Sequence, residues 1–123
     1  MVETILIVDD VQETRELLKE ALKVANYEII EAVDGVDALE KAEKFLPNLI
    51  LMDVTMPRMD GFTLNMKLKE NEKTKNIPVI VSTSHKDMLR VFQSSDKTKI
   101  DGFIEKPYKI EEIWTIVDRI LKK

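Results

Sequence analysis

The sequence predicts an α/β fold, a three-layer (βα)5 architecture in which a doubly wound parallel sheet carries helices on both faces. One observation predicts this class, and a second predicts the number of domains. Short apolar runs alternate with longer segments whose apolar residues recur at the spacing of a helix. The chain has 123 residues, of which 44% are hydrophobic, which is enough for one core and leaves little room for a second. We therefore expect a single domain spanning residues 1–123.

Five segments are predicted strands. Three carry no charge, which is typical of strands buried on both faces of a parallel sheet: Thr4 to Val8, Leu49 to Met52 and Val79 to Thr83. Two carry charges, which an edge strand tolerates better than a central one: Glu28 to Ala32 and Gly102 to Lys106. With right-handed crossovers, this pattern favours the strand order 2-1-3-4-5 of flavodoxin-like folds. Ligands of such sheets bind where the chain reverses direction, at the carboxyl ends of the first and third strands.

Five helices are predicted to follow the strands. Asp10 is a candidate N-cap for the first helix, and Asn26 is a candidate stop. The second follows the Asp34-Gly35 turn and ends before Pro47. The last helix has the clearest apolar stripe, and the third and fourth have weaker ones. The apolar stripes cover residues 17–25, 38–46, 62–68, 88–92 and 110–121.

Composition excludes several classes of protein and site. Nineteen basic and 23 acidic residues give a net charge of −4, and no basic stripe is present, so we expect no direct nucleic-acid binding. The absence of cysteine excludes disulfides, thiolate metal sites and cysteine nucleophiles. No apolar run is long enough to cross a membrane, and no signal-peptide pattern is visible. We expect a soluble, cytoplasmic protein without membrane contact.

Three carboxylates are predicted to meet at one edge of the sheet. Asp9 and Asp10 follow the first strand, and Asp53 follows the third, which the strand order makes its neighbour. On its own, the Asp9-Asp10 dipeptide is as compatible with a turn plus helix cap as with a metal site. Asp53 favours a site, because a charge at the end of an apolar strand is costly without a partner. Clustered carboxylates repel one another unless a cation intervenes, and Mg2+ suits such a cluster because it needs few direct protein ligands.

The same edge carries groups suited to phosphoryl transfer. A carboxylate such as Asp53 can attack phosphorus to form an aspartyl phosphate. The charge on the phosphoryl oxygens then needs stabilisation. Thr83, at the end of the fourth strand, offers a hydroxyl donor, and Lys106, at the end of the fifth, offers a positive charge. Pro107 biases Lys106 toward an extended conformation.

With these residues in place, the chain resembles the receiver domain of bacterial two-component response regulators, a CheY-like single domain. Each matching fragment is a weak signal alone, whereas their order and spacing together are specific, and they span nearly the whole chain. The fragments are ILIVDD at 5–10, DGVDAL at 34–39, LILMDVTMPRMDGF at 49–62, IPVIVSTS at 77–84 and DGFIEKPY at 101–108.

The resemblance implies a role for each residue of the acidic edge. Asp53 would be the phosphoacceptor, Asp10 a direct Mg2+ ligand, and Asp9 a ligand acting largely through water. Pro57 and Gly61 would shape the loop after the acceptor. The implied metal ligands are Asp9, Asp10, Asp53 and the backbone carbonyl of Thr55.

The resemblance also implies a switch. Thr83 and Lys106 would contact the phosphoryl group, and Phe103 would be the switch aromatic. Tyrosine is common at the position of Phe103, so this switch would depend on packing alone. The alternative for Phe103 is an ordinary core or edge-strand residue, since its alternation with the next residue leaves its face open. Thr55 and His85 occupy positions that influence dephosphorylation; the alternative for His85 is an ordinary loop residue, which is the commoner role of a lone histidine.

We thus expect a phosphoacceptor signalling module of a phosphorelay. A sensor histidine kinase or histidine phosphotransfer protein would donate phosphoryl to Asp53. The face formed by the fourth helix, fifth strand and fifth helix would then change its preference for a downstream protein target. The domain would not be an enzyme beyond self-phosphorylation and self-dephosphorylation, and it would be a monomer or a phosphorylation-dependent dimer.

Two alternatives remain. One is a constitutive interaction module with the same fold and no phosphorylation, which the complete set of acidic and phosphoryl-contacting residues disfavours. The other is a small phosphohydrolase that uses Asp53 as its nucleophile. Such enzymes commonly carry a second acid two residues later, where this chain has Thr55.

Overall fold

The computed structural model describes residues 2–56, 58–92 and 99–121. Within them, a five-stranded sheet has the order β2-β1-β3-β4-β5, and every neighbouring pair is parallel, as predicted. A 3-10 turn at Lys86–Met88 precedes the fourth helix. The strands are β1 Thr4–Val8, β2 Glu28–Ala32, β3 Leu49–Asp53, β4 Val79–Thr83 and β5 Gly102–Glu105, and the helices are α1 Gln12–Val24, α2 Gly35–Phe45, α3 Gly61–Glu70, α4 Leu89–Phe92 and α5 Ile110–Leu121.

The sheet separates two apolar clusters. Ile5 and Ile7 of β1 belong to the cluster under α1 and α5, which we call the α1/α5 cluster. Leu6 and Val8 of the same strand belong to the cluster on the opposite face, which also contains Phe92. β1, β3 and β4 are almost wholly buried, whereas β2 and β5 are partly exposed. The charge pattern of the strands therefore reflects their burial, which confirms the predicted edges.

Two helices that begin near the carboxyl edge of the sheet, α2 and α3, each have an aspartate as N-cap. Asp34 caps α2, its side chain accepting a hydrogen bond from the Asp37 amide at 2.9 Å. Asp60 caps α3 in the same way, accepting from the Thr63 amide at 2.7 Å. Both caps satisfy amides that have no partner within their helix. None of the helices in the described ranges has both the length and the apolar character that a bilayer crossing requires.

The predicted N-cap of α1 is wrong. Val11, not Asp10, occupies that position, and it makes no side-chain capping bond. The Asp9 carboxylate instead accepts a hydrogen bond from the Val11 amide at 2.9 Å. At the other end, Asn26 adopts a left-handed conformation with φ of 74° just after the helix, consistent with the predicted stop. The first turn of α1 is thus tied to the acidic edge through Asp9.

Candidate functional site

The three predicted carboxylates come together in the structure. Asp9 directly follows β1, and Asp53 is the last residue of β3, which lies beside β1. One carboxylate oxygen from each of Asp9, Asp10 and Asp53 lies within 4.8 Å of the others. Asp9 and Asp53 are only 1% and 8% exposed, whereas Asp10 faces solvent. Such a set of oxygen donors, open to solvent on one side, suits a hard divalent cation such as Mg2+.

Lys106 supplies the counter-charge to these acids. Its Nζ lies 3.3 Å from Asp9 Oδ2 and 3.3 Å from Asp53 Oδ2. Burial raises the pKa of Asp53, Lys106 opposes that shift, and the charge of Asp9 adds to it. One ammonium facing three carboxylates leaves the cluster with excess negative charge, which a divalent cation would balance.

Thr83 lies beside the acids with its hydroxyl already engaged. It is buried at the end of β4, one residue beyond Ser82, the register partner of Asp53. Its Oγ1 accepts a hydrogen bond from the His85 amide at 2.9 Å and donates to the His85 carbonyl at 3.2 Å. These two bonds link the backbone of His85 to the end of β4, while the residue itself is exposed. Rotation of the Thr83 hydroxyl away from His85 would break these bonds to the loop.

The other sequence-predicted residues surround this centre. The Thr55 amide donates to Asp53 Oδ1 at 3.3 Å, and its side chain is exposed. Phe103 is 43% exposed, whereas its neighbour Ile104 is buried in the α1/α5 cluster. Phe103 therefore lies on the opposite face of β5 and is not a core residue. Pro57 lies outside the described residues.

Sequence reasoning missed a group of contacts behind Asp9, formed by Arg15, Lys19 and Glu31, which we call the Arg15 brace. Arg15, on the first turns of α1, donates from Nη1 to the Asp9 carbonyl at 2.7 Å and from Nε to Glu31 Oε1 at 3.2 Å. Lys19 also contacts Glu31, from Nζ to Oε2 at 3.2 Å. Glu31 on β2 was interpreted only as an edge-strand charge. Two basic residues one turn apart on the preceding helix were the signal that could have identified its partners.

The brace predicts a pH-dependent effect of Glu31→Gln. Burial raises the pKa of Glu31, but the contacts with Lys19 and Arg15 outweigh it and hold that pKa below its usual value. The folded state therefore favours the ionised carboxylate, and this stabilisation is present above pH 5 and disappears as the pH falls through the folded pKa. We expect the substitution to lower the free energy of unfolding by about 0.5–1 kcal/mol at pH 7, with a smaller loss near pH 3.

Urea unfolding of both proteins across this pH range measures the effect. Glu28→Gln is a matched control, because Glu28 is an exposed residue of the same strand. A loss that stayed constant from pH 7 to pH 3 would contradict an electrostatic brace.

A second missed contact holds the loop after Asp53. Arg58, with a left-handed φ of 68°, forms an ion pair with Asp34, the capping residue of α2. Met59 packs against Gly35, where an added Cβ would meet its Cβ at 2.7 Å. The loop that follows β3 therefore rests on the start of α2.

Comparisons with known proteins agree with the observed fold. A family model described as "Response regulator receiver domain" matches residues 5–118. The chain is 40% identical over 119 residues to Histidine kinase P4 of Formosa agariphila, covering 97% of this chain and 8% of that protein. It is 34% identical over 121 residues to sporulation initiation phosphotransferase F of Bacillus subtilis, covering 98% and 95% of the two chains. The structure of chemotaxis response regulator CheY4 of Vibrio cholerae matches with a TM-score of 0.90 at 27% identity, covering 98% and 99% of the two chains.

Several curated relatives are much longer than this chain, which spans 8%, 49% and 18% of the length of three of them. The family match nevertheless covers nearly all of this chain, including all three clustered acids and every strand residue except Thr4. The observed strand order is also the one that the charge pattern of the strands predicts. The chain therefore belongs to the family of response regulator receiver domains, the CheY-like modules of two-component signalling.

Proposed function

We propose that Asp53 is the phosphoacceptor of this receiver domain. The proposal depends on one observation, that a buried carboxylate ends a central strand within 4.8 Å of two other acids and 3.3 Å from the Lys106 ammonium. A sensor histidine kinase or a histidine phosphotransfer protein is the proposed donor. The similarity to a histidine kinase and to a phosphotransferase supports a place in such a relay. We place the domain in the cytoplasm, without membrane or nucleic-acid contact.

The proposed metal ligands are Asp9, Asp10, Asp53 and the backbone carbonyl of Thr55. Mg2+, when bound, would offset the charge of the acids and of the incoming phosphoryl oxygens. Asp10 is the exposed member of the cluster, which suits a direct ligand at the solvent side. Asp9 already accepts a hydrogen bond from the Val11 amide, which leaves its other oxygen for Lys106 and suits a ligand that acts through water.

The chemistry is a transfer of phosphoryl from nitrogen to oxygen. An Asp53 carboxylate oxygen attacks phosphorus, the phosphorus–nitrogen bond of the donor phosphohistidine breaks, and the electron pair leaves with the imidazole. Lys106 stabilises the negative charge on the transferring group, since it already lies 3.3 Å from the attacking carboxylate. The Thr83 hydroxyl supplies a hydrogen bond once it turns away from the His85 carbonyl.

The proposed output follows from that rotation. When Thr83 leaves His85, the loop before α4 loses its anchor to β4. The exposed ring of Phe103 can then move inward, changing the α4-β5-α5 face that a downstream protein would bind. Inverting a population of 1:99 takes roughly 5.5 kcal/mol of differential stabilisation, which several charge-assisted bonds can supply. The domain switches as a monomer or as a phosphorylation-dependent dimer. Thr55 and His85 influence how fast water attacks the aspartyl phosphate.

Lys106→Ala is expected to separate metal binding from switching. The ammonium contacts Asp9 and Asp53 but is not a metal ligand, so Mg2+ should still bind, and loss of the positive charge should not lower its affinity. Loss of a charge-assisted bond to the phosphoryl group should weaken switching by about tenfold or more. The measurement is the shift of α4 and β5 amide resonances on adding beryllofluoride, which mimics a phosphoryl group.

Lys109→Ala is the matched control, because Lys109 is an exposed lysine close in sequence. It should respond to beryllofluoride as the wild type does. An unchanged response in the Lys106 variant would show that its charge does not participate in switching.

Two measurements separate the proposal from its alternatives. A constitutive interaction module would show neither Mg2+ binding nor a response to beryllofluoride. A phosphohydrolase would release phosphate repeatedly from an excess of phosphomonoester. We expect both forms of binding and no such turnover, with activity restricted to self-phosphorylation and self-dephosphorylation.

A further inference from the structure

Tyr108 has a buried hydroxyl that the proposed function does not use. Its ring packs against the α1/α5 cluster, two residues after Lys106. Its hydroxyl oxygen is inaccessible to solvent and has no hydrogen-bond partner among the described residues. Native proteins rarely leave a buried polar group in this state, so the hydroxyl requires an explanation.

Two of the clustered acids and Ser82 influence this hydroxyl. Burial raises the pKa of Tyr108, the charges of Asp9 and Asp53 raise it further, and the Ser82 hydroxyl acts in the opposite direction. The phenol therefore stays protonated at neutral pH and is available as a hydrogen-bond donor. Ser82 lies beside it, although the two hydroxyls do not have the geometry of a formed hydrogen bond in this structure.

Ser82 connects Tyr108 to the phosphoacceptor. It is the register partner of Asp53 on β3 and of Ile104 on β5, so the three side chains lie in one row across the sheet. Ile104 belongs to the α1/α5 cluster, and the row therefore faces the side on which Tyr108 packs. The Ser82 hydroxyl is buried, and its contact with the Met52 carbonyl is long at 3.5 Å. A bond at this distance is weak, which leaves the Ser82 proton able to turn to a better acceptor.

We propose that Tyr108 and Ser82 form a hydroxyl pair that holds the Asp53 carboxylate, and that Tyr108 is a positioning residue for phosphorylation. Tyr108 donates its proton to Ser82 Oγ, and Ser82 donates its own to an Asp53 oxygen instead of to the Met52 carbonyl. Both buried hydroxyls then have partners, and the carboxylate is held from the side of β4, whereas Asp9 lies on the side of β1. This inference rests on the proposed function, because it concerns how Asp53 is oriented for attack on phosphorus.

The test is the rate of phosphoryl uptake from acetyl phosphate at saturating Mg2+. Tyr108→Phe removes only the hydroxyl, and we expect it to slow uptake by about three- to tenfold, the effect of one lost hydrogen bond. Ser82→Ala should slow uptake by a similar factor. The double variant should be no slower than either single one, because each removes the same connection. Mg2+ affinity should stay within about twofold of the wild type, since a positioning role leaves the ligand set intact.

Tyr27→Phe is the matched control. Tyr27 is also a buried tyrosine, but its hydroxyl donates to Asp118 at 2.6 Å, and it lies before β2 at the opposite edge of the sheet. Its removal should leave the uptake rate unchanged. A structural effect common to buried tyrosines would slow uptake in both variants and would overturn the inference.

The remaining outcomes are distinct. Uptake at the wild-type rate in Tyr108→Phe, or losses that multiply in the double variant, would refute the hydroxyl pair while leaving Asp53 as phosphoacceptor. If Tyr108→Phe fails to fold, Ser82→Ala tests the same connection, and an unchanged rate there also refutes it. A wild-type chain that takes up no phosphoryl, or an Asp53→Asn variant that still does, would instead remove the proposed function and this inference with it.

Discussion

Replacing Asp53 by Asn is expected to reduce phosphoryl uptake from acetyl phosphate to background. The amide lacks the negative oxygen that attacks phosphorus, and the neighbouring acids would hold the metal without offering an equivalent nucleophile. Intact mass measured after incubation with acetyl phosphate and Mg2+ reports the uptake. The wild type should gain one phosphoryl group per chain, and the variant should gain none.

The variant should remain folded, so the loss can be attributed to chemistry. Burial raises the pKa of Asp53, which means that the folded state disfavours its ionised form, and a neutral amide removes that cost at neutral pH. Asp118→Asn is the matched control, because Asp118 is bonded to Tyr27 far from the acidic cluster. It should be labelled like the wild type. Labelling of the Asp53 variant at wild-type stoichiometry would refute the phosphoacceptor assignment.

Gly61→Ala is expected to have the largest effect on the fold around the site. A Cβ at Gly61 would lie 2.6 Å from the Asp53 carbonyl oxygen and 2.9 Å from the Val54 Cα. Both are backbone atoms at the end of β3, and the Gly61 amide also donates to the Val54 carbonyl at 2.7 Å. The clash can be relieved only by shifting the acceptor strand or the start of α3. We expect a loss of about 2–3 kcal/mol in the free energy of unfolding, and slower phosphoryl uptake.

Gly102→Ala separates this effect from that of any added methyl group. A Cβ at Gly102 would lie 2.8 Å from Ile116 Cδ1, the end of a side chain that can rotate away. Its cost should be below about 1 kcal/mol, with uptake unchanged. Urea unfolding compares the two variants. Equal losses would contradict the view that Gly61 is required by the backbone of Asp53.

The sheet and the acidic cluster could be predicted because burial determines both. Uncharged runs identified β1, β3 and β4 as central, and this order alone brought Asp9 and Asp53 to neighbouring strand ends. The carboxyl ends of parallel neighbours must meet at one edge. The topology alone therefore predicts that Asp9 and Asp53 lie close together, and no side-chain conformation has to be known.

Contacts that depend on how a helix or loop packs could not be predicted in this way. Asp10 was expected to cap α1, but the backbone enters that helix one residue later, at Val11. The face of Phe103 stayed open, because both faces of this sheet are covered and alternation does not distinguish them. The Arg15 brace depends on the rotation of α1 over the sheet. Such rotations follow from tertiary packing, which a local sequence pattern does not specify.

The most direct measurement locates the phosphoryl group itself. Chains incubated with acetyl phosphate, with and without Mg2+, are reduced with borohydride, which converts an aspartyl phosphate to homoserine, and are then sequenced by mass spectrometry. We expect homoserine at position 53, in place of Asp53, and only in the sample that contained Mg2+. Modification at another residue, or equal modification without the metal, would contradict a metal-assisted transfer to Asp53.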